Sequence, residues 1–208
     1  NIDVIEKQIS GFFKKLNVEG LSNGNVRKIL NYNGNASIES ICNMTIEDFK
    51  KIPGFQEKMA SNVKDSIKDR LQSETLPNMM AASNVFGRGF SDKRMKDIME
   101  TEPEILISSH NEEEKIKMVT NVNGISIKMA RQFVNNIDKF ITFMKKINMA
   151  VKLLMTAKNV EIETLVGKSY ALTGFRDGEL QNFITKNGGK FGATLTKKTT
   201  GLIVKDTD

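Results

Sequence analysis

The residues best placed to do chemistry in this 208-residue chain are glycines that recur at almost constant spacing. Gly20, Gly54, Gly89 and Gly124 lie 34, 35 and 35 residues apart, and each precedes a large apolar residue. A glycine turn that opens into a helix exposes backbone N–H groups at the positive end of the helix dipole, and the missing side chain lets a phosphate approach closely. The repeat therefore predicts turns that bind a phosphate backbone without reading bases.

A lysine at the fourth position after the glycine strengthens this prediction in three of the repeats. Lys58, Lys93 and Lys128 occupy that position, and Gly24 takes it in the first repeat. Such a lysine would lie in the first helical turn and contact the same phosphate; the alternative interpretation is a solvated surface lysine. The predicted phosphate-binding residues are Gly20, Ser22, Gly24, Gly54, Lys58, Arg88, Gly89, Ser91, Lys93, Gly124, Ser126 and Lys128.

The segments on both sides of each glycine carry apolar residues at steps of three and four, which is typical of amphipathic helices. Ahead of the first glycine this stripe includes Ile9, Phe12 and Leu16, and the helix behind it is expected to stop near Asn33-Gly34 in a left-handed cap. Each repeat is thus predicted to be a helix, a tight glycine turn and a second helix.

Composition narrows the classes of function. The net charge of +6 and the pI near 9.3 indicate a polyanionic partner. A single cysteine, Cys42, and a single histidine, His110, exclude an internal disulfide framework and a cysteine- or histidine-based metal site within the chain.

No stretch approaches 18 consecutive apolar residues and no signal peptide pattern is present, so we expect a soluble intracellular protein with no membrane partner, in the cytoplasm, the nucleoid or a viral replication site. The lack of an initiating methionine leads us to expect a fragment of a longer polypeptide.

The four repeats closely resemble the helix-hairpin-helix motif in their glycine, apolar and alanine-like positions. This resemblance implies binding to the backbone of nicked or duplex DNA. The second glycine usual in the motif is replaced by serine or, in the second repeat, by Gln56, and the third repeat has Gly87-Arg88 where an apolar residue is usual. Gln56 and the third hairpin are therefore expected to be the weakest phosphate contacts, with Arg88 either reaching a phosphate or lying in solvent.

The pattern changes to that of an α/β segment from Leu165 onward, with a predicted β-α-β-β order and a small sheet. Residues 165–208 resemble the first half of a BRCT domain, and residues 147–164 are predicted to be a linker or a helix tail. The whole fold is therefore expected to be mainly α, with four tandem hairpins in residues 1–146 and a truncated α/β domain behind them. The residues that carry the BRCT resemblance are Gly167-Lys168, Thr173-Gly174-Phe175, Gly188-Gly189 and Lys197-Lys198-Thr199-Thr200.

Four helix-hairpin-helix units followed by a BRCT domain resemble the C-terminal half of NAD-dependent DNA ligases, as do the segments 12–21, 82–89 and 122–125. The resemblance implies a parent enzyme that joins a 5′-phosphate to a 3′-hydroxyl at a nick in replication and repair, using NAD, zinc and magnesium. Its catalytic Lys-x-Asp-Gly motif has no match here, because the nearest string is Phe175-Arg176-Asp177-Gly178. We therefore predict no catalytic residue, cofactor or metal ligand in this chain, and a catalytic domain upstream or on a separate subunit.

Two other classes of protein remain open at this point. The same hairpins occur in repair nucleases, helicase subunits and polymerase assemblies, so the chain could be a non-catalytic DNA-binding module or scaffold. The second alternative is an all-α protein-interaction array, although the basic pI and the three lysines in register disfavour it.

Overall fold

The computed structural model describes residues 2–155, 165, 167–173, 177–186, 188–192, 194–197 and 199–204. The chain forms two compact units, residues 1–153 and residues 154–208. Across the described residues, every helix is too short or too polar to cross a membrane. The elements are α1 (Ile2–Lys15), α2 (Asn23–Tyr32), α3 (Ile38–Asn43), α4 (Ile46–Lys50), α5 (Glu57–Ser73), α6 (Leu76–Ser83), α7 (Asp92–Thr101), α8 (Glu112–Thr120), α9 (Ile127–Val134), α10 (Ile137–Lys146), α11 (Val151–Met155), β1 (Ser169–Thr173), α12 (Gly178–Lys186), β2 (Lys190–Gly192) and β3 (Gly201–Val204).

The four predicted helix-hairpin-helix repeats are confirmed in the first unit. The helix pairs α1/α2, α4/α5, α6/α7 and α8/α9 each enclose one of the glycine turns. The glycines have φ angles of +80°, +89°, +95° and +78° in chain order, a backbone region that L side chains rarely adopt. The turn therefore requires glycine, which explains why this residue type marks the repeat in the sequence.

A continuous row of aromatic rings joins the first repeat to the third and fourth. Phe12 of α1 lies 5.7 Å from Phe143 of α10 between ring centroids, and Phe140, one turn before, lies 5.3 Å from Phe86. Phe86 stacks on Phe133 of α9 at 4.6 Å. These side chains are buried, so the helix α10 that follows the last hairpin packs against the helix that precedes the first one.

The hairpins also pack in pairs. A Cβ atom built on Gly20 would lie 2.5 Å from Cγ2 of Val63, which belongs to the second repeat. In the opposite direction, a Cβ atom on Gly54 would lie 3.1 Å from Nζ of Lys28, which belongs to the first repeat. The first two repeats are therefore joined by reciprocal contacts between the turn of one and the second helix of the other.

The second unit contains a parallel sheet in the order β2-β1-β3, with α12 connecting β1 to β2. This arrangement confirms the predicted β-α-β-β order. Gly201 of β3 is closely covered, because a Cβ atom there would lie 2.9 Å from the Tyr170 ring. Gly188 has a φ angle of +80° and Gly189 is buried beside Ile184, so both glycines of the predicted pair are required by the backbone.

The end of α2 differs from its prediction, and part of the segment predicted to be a linker or a helix tail belongs to the first compact unit. The predicted left-handed cap at Gly34 is wrong: α2 is capped by Asn33 at φ −132°, and the Asn33 side chain accepts a hydrogen bond from the Asn35 amide. Residues 147–153, predicted to be a linker or a helix tail, lie in the first compact unit. There Lys152 is buried and donates hydrogen bonds to the carbonyls of Gln72 and Glu74, at 2.7 and 2.9 Å. Residues 156–164 of that segment lie outside the described residues.

The contrast between two turn glycines gives a test of this packing. Gly124→Ala should lower the free energy of unfolding by about 1–2 kcal/mol, because only the left-handed backbone opposes the new methyl group and no atom lies within 4 Å of it. Gly20→Ala should lower it further, because the methyl group also meets Val63. Urea denaturation followed by the helical circular dichroism signal measures both. Equal losses in the two variants would show that the contact with Val63 contributes nothing.

Candidate nucleic-acid interface

Each hairpin presents the same nine-residue surface, over residues 18–26, 52–60, 87–95 and 122–130. In three of them the first, fourth and ninth residues are buried, the eighth is half-buried and the rest are exposed; the third hairpin differs only in the half-buried Gly87 at its first position. The buried residues anchor the turn to the core, and the glycine and the lysine position remain in solvent. All twelve residues predicted to bind phosphate are exposed.

Serines cap the second helix in three of the hairpins. The hydroxyl oxygens of Ser22, Ser91 and Ser126 accept hydrogen bonds from the amides of the third helical residue, at 3.4, 3.3 and 3.3 Å. A helix leaves its first amides without a partner inside the helix, and the cap takes only one of them. The amides of the first two helical residues are thus left for a phosphate oxygen, and the serine O–H can donate as well.

The second hairpin departs from this arrangement. Gln56 stands at the cap position of α5 and its side chain makes no capping hydrogen bond. The turn itself is well formed, since the amide of Phe55 donates to the carbonyl of Ile52 at 3.0 Å. Pro53 and Gly54 occupy the two central positions, which is the residue pair that a type II turn favours.

The first and third hairpins are each stabilised by a side-chain hydrogen bond that the sequence pattern did not predict. The residue five positions after the glycine donates a side-chain hydrogen bond to the glycine carbonyl, from Asn25 to Gly20 at 2.9 Å and from Arg94 to Gly89. In the second and fourth hairpins this position holds a methionine. The hairpins therefore alternate between two types, which agrees with their packing in pairs.

The third hairpin replaces the missing apolar residue with a hydrogen bond. Gly87 has a φ angle of +82°, and Nε2 of Gln132 donates to the carbonyl of Phe86 at 2.6 Å. A Cβ atom on Gly87 would lie 2.7 Å from that same nitrogen, so the glycine makes room for the glutamine. Arg88, between the two glycines of this turn, is exposed. The contact could have been suspected from the repeat register. Gln132 lies eight residues after Gly124, just as Lys28 lies eight residues after Gly20.

The three lysines in register are available to a ligand. Lys58, Lys93 and Lys128 are exposed and take part in no ion pair within the part of the chain that the structure describes. By contrast, acidic residues at the first helical position are neutralised from neighbouring elements. Asp92 lies 2.7 Å from Nζ of Lys15, and Glu57 lies 2.5 Å from Nζ of Lys50. Neither carboxylate therefore stands as an unopposed charge beside its turn.

Contacts between the hairpins place them in the order second, first, third, fourth. Gly20 and Gly54 line one shallow groove of about 390 Å³. The ion pair between Lys15, at the end of α1, and Asp92, at the start of α7, joins the first hairpin to the third. The hydrogen bond from Gln132 joins the third to the fourth. The four exposed turns thus form one connected series.

Outside the hairpins, the described residues that could do chemistry have structural roles instead. Cys42 is buried, and burial raises the pKa of its thiol to about 12. Asp177 caps α12, accepting a hydrogen bond from the Leu180 amide at 3.0 Å, which explains the Asp177-Gly178 pair. Within the described ranges, no group of three or more histidine, cysteine or acidic residues is placed to hold a metal ion.

The first unit is a tandem helix-hairpin-helix domain, and comparison with known proteins agrees. The family described as SAM-like Helix-hairpin-helix tandem matches residues 16–69, which contain the first pair of hairpins. The DNA ligase of Acanthamoeba polyphaga mimivirus is 31% identical over 209 residues, an alignment that covers 99% of this chain and 33% of the relative. The DNA ligases of Aquifex aeolicus and Campylobacter jejuni are each 24% identical, over 91% and 96% of this chain and 26% and 31% of their own lengths.

These similarities confirm the resemblance to DNA ligases that the repeated hairpins indicated. They extend over nearly the whole chain, which spans about a third or less of the length of these curated relatives. No solved structure matches the chain.

Removal of each motif lysine tests the interface. Lys58→Met, Lys93→Met and Lys128→Met should each weaken duplex binding equally for all base sequences. Each should also lower the slope of log affinity against log salt by about 0.9, because each lysine neutralises one phosphate. Fluorescence anisotropy over about 50–200 mM salt measures the slope. Lys96→Met is the control, since Lys96 lies on the same helix as Lys93 but pairs with Glu100 at 3.6 Å. Slopes equal to that of the control would identify the three lysines as ordinary surface charges.

The buried thiol gives a second prediction. Cys42 should react with a disulfide reagent at pH 8 only after unfolding, because burial keeps the thiol both protonated and covered. A spectrophotometric thiol assay with and without denaturant measures the rates. Comparable rates in the two conditions would show that α3 opens readily in the folded protein.

Proposed function

We propose that this chain is the duplex-binding part of an NAD-dependent DNA ligase, which grips the DNA backbone on both sides of a nick. The single observation that carries the proposal is the connected series of four exposed glycine turns, each at the start of a helix; three of them carry a lysine that forms no ion pair with any residue the structure describes. The similarity to DNA ligases over 91–99% of the chain supports the choice of parent enzyme.

The chemistry of the turns fits a backbone ligand better than a base-reading one. Each hairpin offers backbone amides, three of the four add a serine hydroxyl and three add a lysine; all of these are donors suited to phosphate oxygens. The net charge of +6 adds a long-range attraction to DNA, and binding would release counterions from the phosphates. The chain would therefore bind duplexes of different sequence with similar affinity.

The bond-forming chemistry is assigned to another part of the parent enzyme. The adenylated lysine of a Lys-x-Asp-Gly motif has no counterpart, because Phe175 stands at that place and Asp177 is occupied as a helix cap. One cysteine and one histidine cannot supply a zinc site. NAD, zinc and magnesium are therefore not expected to bind to the residues of this chain.

Binding the duplex would assist sealing only by positioning the two DNA ends at the nick. A set of phosphate contacts on both sides of a nick can hold the 5′-phosphate and the 3′-hydroxyl in line and stabilise a bent or widened duplex. The catalytic domain, upstream or on a separate subunit, would then act on ends that are already aligned. In this proposal the protein acts inside the cell, at DNA that is being replicated or repaired.

The second unit is proposed to be the start of a BRCT domain. Its parallel sheet in the order β2-β1-β3, with a helix connecting β1 to β2, is compatible with this assignment. Thr173, a candidate phosphate contact in such domains, is exposed at the end of β1. Phosphate binding at Thr173 is not proposed, because the lysine that assists it in BRCT domains has no counterpart in the segment that resembles such a domain.

Equilibrium binding to three fluorescent DNAs tests the proposed function. The probes are an intact duplex, the same duplex with one nick, and a single strand, each measured at about 50 and 200 mM salt. The expected result is salt-sensitive binding that prefers duplex over single strand, with the nicked duplex bound as tightly as the intact one or more tightly. Absence of duplex binding at low salt would contradict the proposal and favour a protein-interaction array.

A further inference from the structure

Lys28 belongs to the first repeat in sequence but lies against the turn of the second. Its Nζ, Cε and Cδ atoms lie 3.1, 3.7 and 3.8 Å from the position that a Cβ atom of Gly54 would take. The end of the lysine side chain therefore runs alongside a glycine whose φ angle of +89° leaves that side open. Lys28 is exposed and forms no ion pair among the described residues.

The position of Lys28 on its own helix is also informative. The first hairpin lacks the motif lysine, because Gly24 stands there. Lys28 follows Gly24 by four residues, so the two positions lie on the same face of α2, one turn apart. The cation missing from the first hairpin thus reappears one turn along the helix, where it reaches the neighbouring turn.

The second hairpin is the one that most needs a further donor. Its cap residue, Gln56, makes no capping hydrogen bond, and Glu57 brings a carboxylate to the first helical position. Lys50 lies 2.5 Å from Glu57 and offsets that charge. Lys58 is then the one positive charge that the motif itself supplies. A second cation beside Gly54 would make this turn more attractive to a phosphate and compensate for the carboxylate of Glu57.

In the second pair of hairpins Gln132 reaches the third turn from the position that corresponds to Lys28, so a cation at this contact is not a general consequence of the fold. The residue that corresponds to Lys28 in the third repeat is Asp97, eight positions after Gly89. No atom lies within 4 Å of the position of a Cβ atom on Gly124, the turn that Asp97 would face by this correspondence. A lysine beside the neighbouring turn is therefore a feature of the first pair alone.

We propose that Lys28 is a DNA phosphate ligand of the second hairpin, supplied across the pair by helix α2. This inference rests on the proposed DNA-binding function. The first two hairpins then form one composite contact, in which Gly54 and Lys58 come from the second repeat and Lys28 from the first. The pair of hairpins, rather than the single motif, is the unit that binds a phosphate.

The test compares Lys28→Met with Lys139→Met in the full 208-residue chain. Methionine keeps much of the length of the side chain and removes its charge. Lys139 is an exposed lysine of α10, outside the four nine-residue surfaces, and serves as the matched control. Binding of the intact duplex is measured by anisotropy over about 50–200 mM salt. Lys28→Met should lower the log–log slope by about 0.9, and Lys28→Arg should keep the slope of the unmodified protein.

The outcomes separate this inference from the proposed function. A lowered slope with an unchanged melting temperature supports Lys28 as a phosphate ligand. A slope equal to that of Lys139→Met, while the unmodified chain binds duplex with strong salt dependence, overturns the inference and leaves the proposed function standing. Absence of duplex binding by the unmodified chain overturns both.

Discussion

The left-handed backbone at four glycines is the constraint on which the rest of this structure depends. Each of these residues reverses the chain between two helices in a few residues, and each does so with φ between +78° and +95°. The reversal buries an apolar residue after each glycine, and in three of the hairpins another before it, and it leaves the start of the second helix in solvent. One backbone feature therefore determines both how the repeat packs and which polar groups it exposes.

Pairing of the repeats gives the exposed turns a fixed arrangement. Val63 packs against the first turn, Lys28 reaches the second, and Gln132 closes the third. The aromatic rings of α1, α10 and the third and fourth repeats then join the pairs through buried contacts. A set of donors held in this way loses little further conformational entropy when it meets a regular polyanion, which favours a duplex over a flexible strand.

Much of the fold could be predicted because the turns need glycine and the helices need periodic apolar residues. Both requirements leave a signal that is local in sequence, so the four hairpins and the β-α-β-β order of the second unit were predicted correctly. The cap at Gly34 was predicted wrongly because a local rule was applied where the Asn33 side chain stabilises a different turn. Among the residues that the structure describes, the left-handed positions outside glycine are asparagines instead, at Asn17, Asn84 and Asn148.

The contacts between repeats could not be predicted from local patterns. Lys28 and Gln132 each act on a turn in another repeat, 26 and 46 residues away from Gly54 and Phe86. Only the pairing of the hairpins, which is a tertiary feature, brings these residues to their targets. Once the pairing is known, the shared position eight residues after a glycine becomes a usable signal.

Amide hydrogen exchange with and without duplex DNA tests whether the four hairpins bind the duplex together. The first two residues of α2, α5, α7 and α9 are exposed, so their amides should exchange rapidly in the free protein. We expect duplex DNA to slow exchange in the four segments 18–26, 52–60, 87–95 and 122–130, and to leave exchange on the exposed face of α10 unchanged. Protection concentrated on α10 or on the second unit, with the four hairpin segments unaffected, would contradict this expectation.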